Sequence, residues 1–117
     1  VNSMRFTQRL LNCMTQQHSK TVSQVQEFSS KAIINIVSMS AVTTSQNSCQ
    51  YKASKQGFLG FTQNLFEDVR EYGIKVCAIC PGYVNTEMVA SENLEKEKMI
   101  QSEDIAEACL FVVMSSM

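Results

Sequence analysis

The sequence predicts an α/β protein built around parallel strands, and three observations carry that reading. Two short runs, "AIINIVS" ending at Ser38 and "IKVCAIC" starting at Ile74, are apolar on both faces, as strands covered from both sides in a parallel sheet are. Stretches with helical spacing precede, separate and follow them. The order helix, strand, helix, strand, helix is what right-handed crossover connections produce.

The first helix is expected from Met4 to about Gln17, with Phe6, Leu10 and Met14 as its apolar stripe and Leu11 and Cys13 one step round. The polar segment "HSKTVSQVQEFSSK" reads as a loop or as the frayed end of that helix. After the first strand, the longest helical pattern runs from about Cys49 to Tyr72, with Phe58, Phe61, Leu65, Phe66 and Val69 spaced for burial. Gly73 suits a left-handed C-terminal cap, and Pro81-Gly82 stops the second strand. Ser102, followed by Glu103 and Asp104, reads as the cap and acidic first turn of a last helix carrying Ile105, Ala106, Cys109, Leu110 and Val113 on one face.

Composition narrows the function classes. The 117 residues suffice for one domain; 44% are hydrophobic, 18% charged, and the formal net charge of −1 excludes a basic nucleic-acid binder. No apolar run approaches the roughly 20 residues that cross a bilayer, so a soluble, cytoplasmic chain with no membrane partner is expected. Five cysteines at irregular spacing argue against a disulfide framework. Cys77 and Cys80 form a CxxC pair on a strand, where residues three apart point to opposite faces. They read as buried strand cysteines, and no metal site is expected.

The chemistry centres on "SCQYKASKQGF", residues 48–58. Tyr51 and Lys55 lie four apart at the start of a helix, so both side chains can face one pocket. A phenol is ordinarily a poor acid or base at neutral pH; a nearby ammonium favours the phenolate and makes proton transfer usable. Ser38 ends the first strand thirteen residues earlier, and the second strand ends in "ICPGYVNTEM". Ligands of open α/β sheets bind beyond the carboxyl ends of the strands, where these segments converge.

"INIVSMSA", "YKASKQGFLGFTQNLFEDVREYGIKVCAICPGYVNTEM" and "SEDIAEACLFV" together resemble the C-terminal half of a short-chain dehydrogenase/reductase of the single-domain branch, from roughly Met4 to Met114. The resemblance implies a Rossmann-like doubly wound parallel sheet, present here as a partial dinucleotide-binding domain over residues 1–117. It implies an NAD(P)-dependent oxidoreductase interconverting a carbonyl and an alcohol, with NAD or NADP as cofactor. Tyr51 would be the general acid/base. Lys55 would assist it and hydrogen-bond the nicotinamide ribose, and Ser38, with Ser40 as its alternative, would hold the reacting oxygen. Pro81, Gly82 and Val84 would frame the nicotinamide, and Thr86 would offer a hydroxyl. Asn2 is the candidate for the family's helix asparagine, Asn12 falling where relatives often carry proline. A homodimer or homotetramer is implied for the full-length protein.

The family's TGxxxGxG loop is not among these residues, so most of the cofactor site is expected to lie outside them. A second expectation, from another class, is a catalytically inactive relative acting by association with a partner subunit. Epimerases and dehydratases share the Ser/Tyr/Lys set, but "PGYVNTEM" favours the single-domain reductases. "VNTEMVASENLEKEKM" corresponds to the substrate-covering loop, its charge run reading as a solvated face.

Overall fold

The computed structural model describes residues 2–21, 31–86 and 95–115. Most of the polar connection after the first helix and residues 87–94 of the loop beyond Thr86 lie outside the described residues, as does the His18 side chain.

Helix α1 spans Asn2–Thr21, longer at both ends than the apolar spacing predicts. Strand β1, Lys31–Ile36, pairs in parallel with β2, Ile74–Ile79, in a register running from Lys31↔Ile74 to Ile36↔Ile79. Helix α2, Cys49–Val69, makes the crossover and passes through a 3₁₀ turn, Arg70–Tyr72, into Gly73. Gly73 has φ 66°, the left-handed conformation expected of it. Helix α3, Ser102–Met114, closes the described chain.

The core is small and sits where α2 turns back into β2. Leu65, Val69 and Ile74 are its buried residues, with Leu11, Met14, Ile33, Phe61 and Val76 packed around them. Each of the three buried side chains contributes about 1.5–3 kcal/mol relative to exposure. Beside it, Asn35 of β1 and Thr62 of α2 are buried and paired: the Asn35 amide donates to Thr62 Oγ1 at 2.9 Å, and that hydroxyl donates to the Phe58 carbonyl at 2.8 Å.

Several helix faces differ from expectation. On α1 Thr7 is buried and Leu11 and Met14 half-buried, while Phe6, at 65%, Leu10 and Cys13 are exposed, Phe6 and Leu10 along an open groove beside β1. In α2 it is Thr62, and not Phe66, that lies inside. The physical reason is shared: Thr7 and Thr62 return their hydroxyls to the carbonyls one turn back, Ser3 and Phe58, so burial leaves no polar atom unpaired.

On α3 the half-buried residues are Ile105, Ala108, Cys109 and Val112, so Ala106, Leu110 and Val113 are rotated outward. Its cap is Gln101, with Ser102 as the first helical residue, because the Asp104 carboxylate accepts from the Gln101 N–H at 2.8 Å.

The sheet is also less covered than a fully sandwiched one. Ile74 and Val76 face α2, whereas Lys75 points to the end of α3 and donates to the carbonyls of Val112, Val113 and Ser115. Cys77 and Cys80 are consequently half-buried, not buried, and all five cysteines are free thiols. Among the described residues no cluster suits a metal ion, and no helix is long and apolar enough to cross a membrane.

Candidate active site

The strand ladder continues past the ends of β1 and β2 and delivers Ser38 to the carboxyl edge of the sheet. Val37 N–H donates to the Ile79 carbonyl at 2.7 Å and Met39 N–H to the Pro81 carbonyl at 2.8 Å. Ser38 lies between these two bonds in extended conformation and caps a short 3₁₀ turn, Met39–Ala41. Its Oγ accepts from the Ser40 N–H at 3.1 Å. With an acceptor position of the oxygen so used, the hydroxyl hydrogen is the group left to present outward.

Tyr51 stands in the first turn of α2, 46% exposed, beside this turn. The Lys55 ammonium lies 5.6 Å from the centre of the Tyr51 ring, over its face, as the four-residue spacing predicts. Ser54 Oγ donates to the Tyr51 carbonyl at 2.7 Å. A second lysine reaches the serine turn: Lys52 Nζ donates to the Ser40 carbonyl at 3.1 Å. Asn47, at φ 58°, turns the chain into α2, a conformation asparagine tolerates.

The second strand end supplies the other wall. Pro81 is half-buried and Gly82 exposed; a Cβ on Gly82 would meet nothing within 4 Å, so the space beside it is open. Val84 forms an isolated parallel bridge with Ile100, in which Asn85 N–H donates to the Ile100 carbonyl at 2.8 Å and Ile100 N–H to the Tyr83 carbonyl at 3.1 Å. Those bonds flank Val84, so its own N–H and C=O face the opposite way and meet no partner among the described residues. A donor and an acceptor on one residue match the two faces of a carboxamide, so these residues fit a nicotinamide ring. Thr86 is exposed at the edge of the described loop.

Asn2 is placed differently. Helix α1 runs antiparallel to β1: Lys31 Nζ donates to the Met14 carbonyl at 2.7 Å, while Ser3 and Phe6 line an open groove of about 470 Å³ with Ile36 and Phe58. Asn2 is therefore at the site's end of the sheet, exposed, with no hydrogen bond to Ser38, Tyr51 or Lys55.

Sequence reasoning missed two contributors. The Asn85 amide donates to Gln101 Oε1 at 3.1 Å, and Gln101 Nε2 donates to the carbonyls of Lys96 at 3.1 Å and Met99 at 3.0 Å, tying together the flanks of the loop before α3. A glutamine three residues before Asp104 was the available signal. For Lys52 there was none, because its partner is a backbone carbonyl twelve residues away.

The chain as a whole is similar to known proteins. The family model described as short chain dehydrogenase matches residues 4–97. An uncharacterized oxidoreductase of Staphylococcus aureus strain USA300 is 37% identical over 87 residues, which are 74% of this chain and 38% of that protein. Among solved structures, a 3-oxoacyl-[acyl-carrier protein] reductase from Brucella melitensis is similar with a TM-score of 0.62 and 29% identity, over 70% of this chain and 35% of that one. A 7α-hydroxysteroid dehydrogenase complexed with NADH and 7-oxo glycochenodeoxycholic acid is similar with a TM-score of 0.63 and 29% identity, over 70% and 36% of the two chains. The chain spans little more than a third of the length of the relatives it matches. The match over residues 4–97, most of the chain, shows that the chain belongs to the short-chain dehydrogenase family.

Proposed function

We propose that these residues form the proton-transfer half of an NAD(P)-dependent oxidoreductase that interconverts a small-molecule carbonyl and its alcohol. The observation that carries the reading is the joining of three segments at one edge: the Ser38 turn is bonded to the end of β2 through Pro81 and to the start of α2 through Lys52. The oxidoreductase relatives, one of them solved with NADH and a keto steroid, support it.

The nicotinamide, when bound, supplies or takes up the hydride. Val84, through its outward N–H and C=O, would hold the carboxamide, with Pro81 and Gly82 framing the nicotinamide and Thr86 offering a hydroxyl. Ser38 donates its O–H to the carbonyl oxygen of the substrate, stabilising the charge that develops there. Tyr51 gives its phenolic proton to that oxygen in reduction and removes it in oxidation. Lys55, its ammonium over the Tyr51 ring, would reach the ribose hydroxyls beside that proton. Asn2, exposed near the start of α1, remains the candidate for the family's helix asparagine.

The test is Tyr51→Phe in the native full-length polypeptide, assayed by NADH and NADPH oxidation with ethyl acetoacetate and cyclohexanone. Loss of about 10²–10⁴-fold in kcat is expected. An unchanged kcat, or no turnover by the parent protein, sinks the reading.

A second reading has its own observation. Phe6, at 65% exposed, and Leu10 line an open, largely apolar groove between α1 and β1, which suits association with a partner subunit without catalysis. A parent protein that transfers no hydride but sediments as a hetero-oligomer would favour it.

A further inference from the structure

We infer that Lys52 is a positioning residue for the reaction, acting through the Ser38 turn; the inference rests on the function just proposed. The strand ladder holds Ser38 only as far as Met39, whose N–H makes the last bond to the β2 side. Beyond Met39 these backbone N–H groups bond within the turn: Ala41 N–H to the Ser38 carbonyl, and Val42 and Thr43 N–H to the Met39 carbonyl. The Lys52–Ser40 bond is the one hydrogen bond joining this turn to α2 among the described residues.

Its position gives it leverage over the catalytic hydroxyl. Ser40 is gripped at both ends, its carbonyl by Lys52 and its N–H by the Ser38 oxygen it donates to. Movement of Ser40 would therefore release the Ser38 hydroxyl and allow it to turn from the direction in which it can meet a carbonyl oxygen. A bond from an ammonium is roughly twice as strong as a neutral one, and Lys52 is half-buried where it makes this bond. Lys52 sits next in sequence to Tyr51, so one bond sets the serine turn against the helix that carries the tyrosine. A shift of the order of 1 Å between such groups can cost about 10²-fold in rate.

The experiment is a double-mutant cycle in the native full-length polypeptide, with Lys52→Met and Ser38→Ala singly and together, and Lys52→Arg as the conservative variant. Ethyl acetoacetate reduction by NADH or NADPH is the assay. Lys52→Met is expected to lower kcat about tenfold with KM for cofactor unchanged, since only the transition-state contact is disturbed. Lys52→Arg, which can reach the same carbonyl, restores most of it. In the Ser38→Ala background Lys52→Met costs nothing further, because the group it positions is gone. An equal loss in both backgrounds, or a loss confined to thermal stability with kcat intact, overturns the inference while leaving the function standing. If Ser38→Ala itself is silent, the function reading falls first and takes this inference with it.

Discussion

Asn35 and Thr62 form the buried polar contact of the α2–sheet interface, with the Asn35 amide donating to the Thr62 hydroxyl at 2.9 Å. Thr62→Val removes the acceptor but not the amide, so a buried N–H is left unpaired at a cost of about 1–3 kcal/mol. Thr62→Ser should lose much less. Asn35→Leu combined with Thr62→Val should recover part of the single-mutant loss, since no polar group then remains to be satisfied. Urea unfolding of the parent, Thr62→Val, Thr62→Ser, Asn35→Leu and the double variant checks this; a double variant as unstable as the sum of the singles would contradict it.

Lys75 places its ammonium among the last carbonyls of α3, where the negative end of the helix dipole lies. Lys75→Met keeps most of the stem and removes the charge. A loss of about 1–2 kcal/mol is expected. Amide hydrogen exchange should locate it in α3, with the core around Ile74 keeping its protection.

Gly73 adopts φ 66°, and a Cβ there would meet nothing within 4 Å. Gly73→Ala therefore isolates the backbone penalty from any steric one, at about 1–2 kcal/mol. Gly73→Asn should cost less, as asparagine tolerates this conformation. Equal melting temperatures for the parent and the alanine variant would refute the argument.

Residues 1–117 produced alone should oxidise neither NADH nor NADPH in the presence of a ketone. The residues that fit the nicotinamide are present, but no glycine-rich loop is there to bring helix N–H groups to the diphosphate. Cofactor fluorescence, followed over hours with ethyl acetoacetate, should match the protein-free control. A ketone-dependent rate abolished by Tyr51→Phe would refute this.

Much of the arrangement was legible because it rests on local rules. The two β-branched runs, the left-handed glycine and the four-residue spacing of Tyr51 and Lys55 each follow from the chain near them. Helix faces were less legible. Apolar spacing placed Phe6, Leu10 and Phe66 inward, yet Thr7 and Thr62 took the inner positions by bonding their own helix carbonyls, which hydrophobic periodicity does not register. Ser102 lost the cap to Gln101 because the Asp104 carboxylate reaches back to the Gln101 N–H. Lys52 was invisible because only the folded turn brings the Ser40 carbonyl within its reach.

The parallel pairing of β1 with β2 has a consequence for the order of folding. Lys31 meets Ile74 only after a long stretch of chain has been drawn into a loop, an entropic cost that non-local contacts must offset late. Leu65, Val69 and Ile74, by contrast, lie within a few turns of one another around Gly73 and can meet while the rest is still unfolded. The end of α2 and the start of β2 should therefore form the nucleus onto which β1 condenses. Leu65→Ala should slow folding in a stopped-flow experiment, while Ile33→Val should mainly speed unfolding.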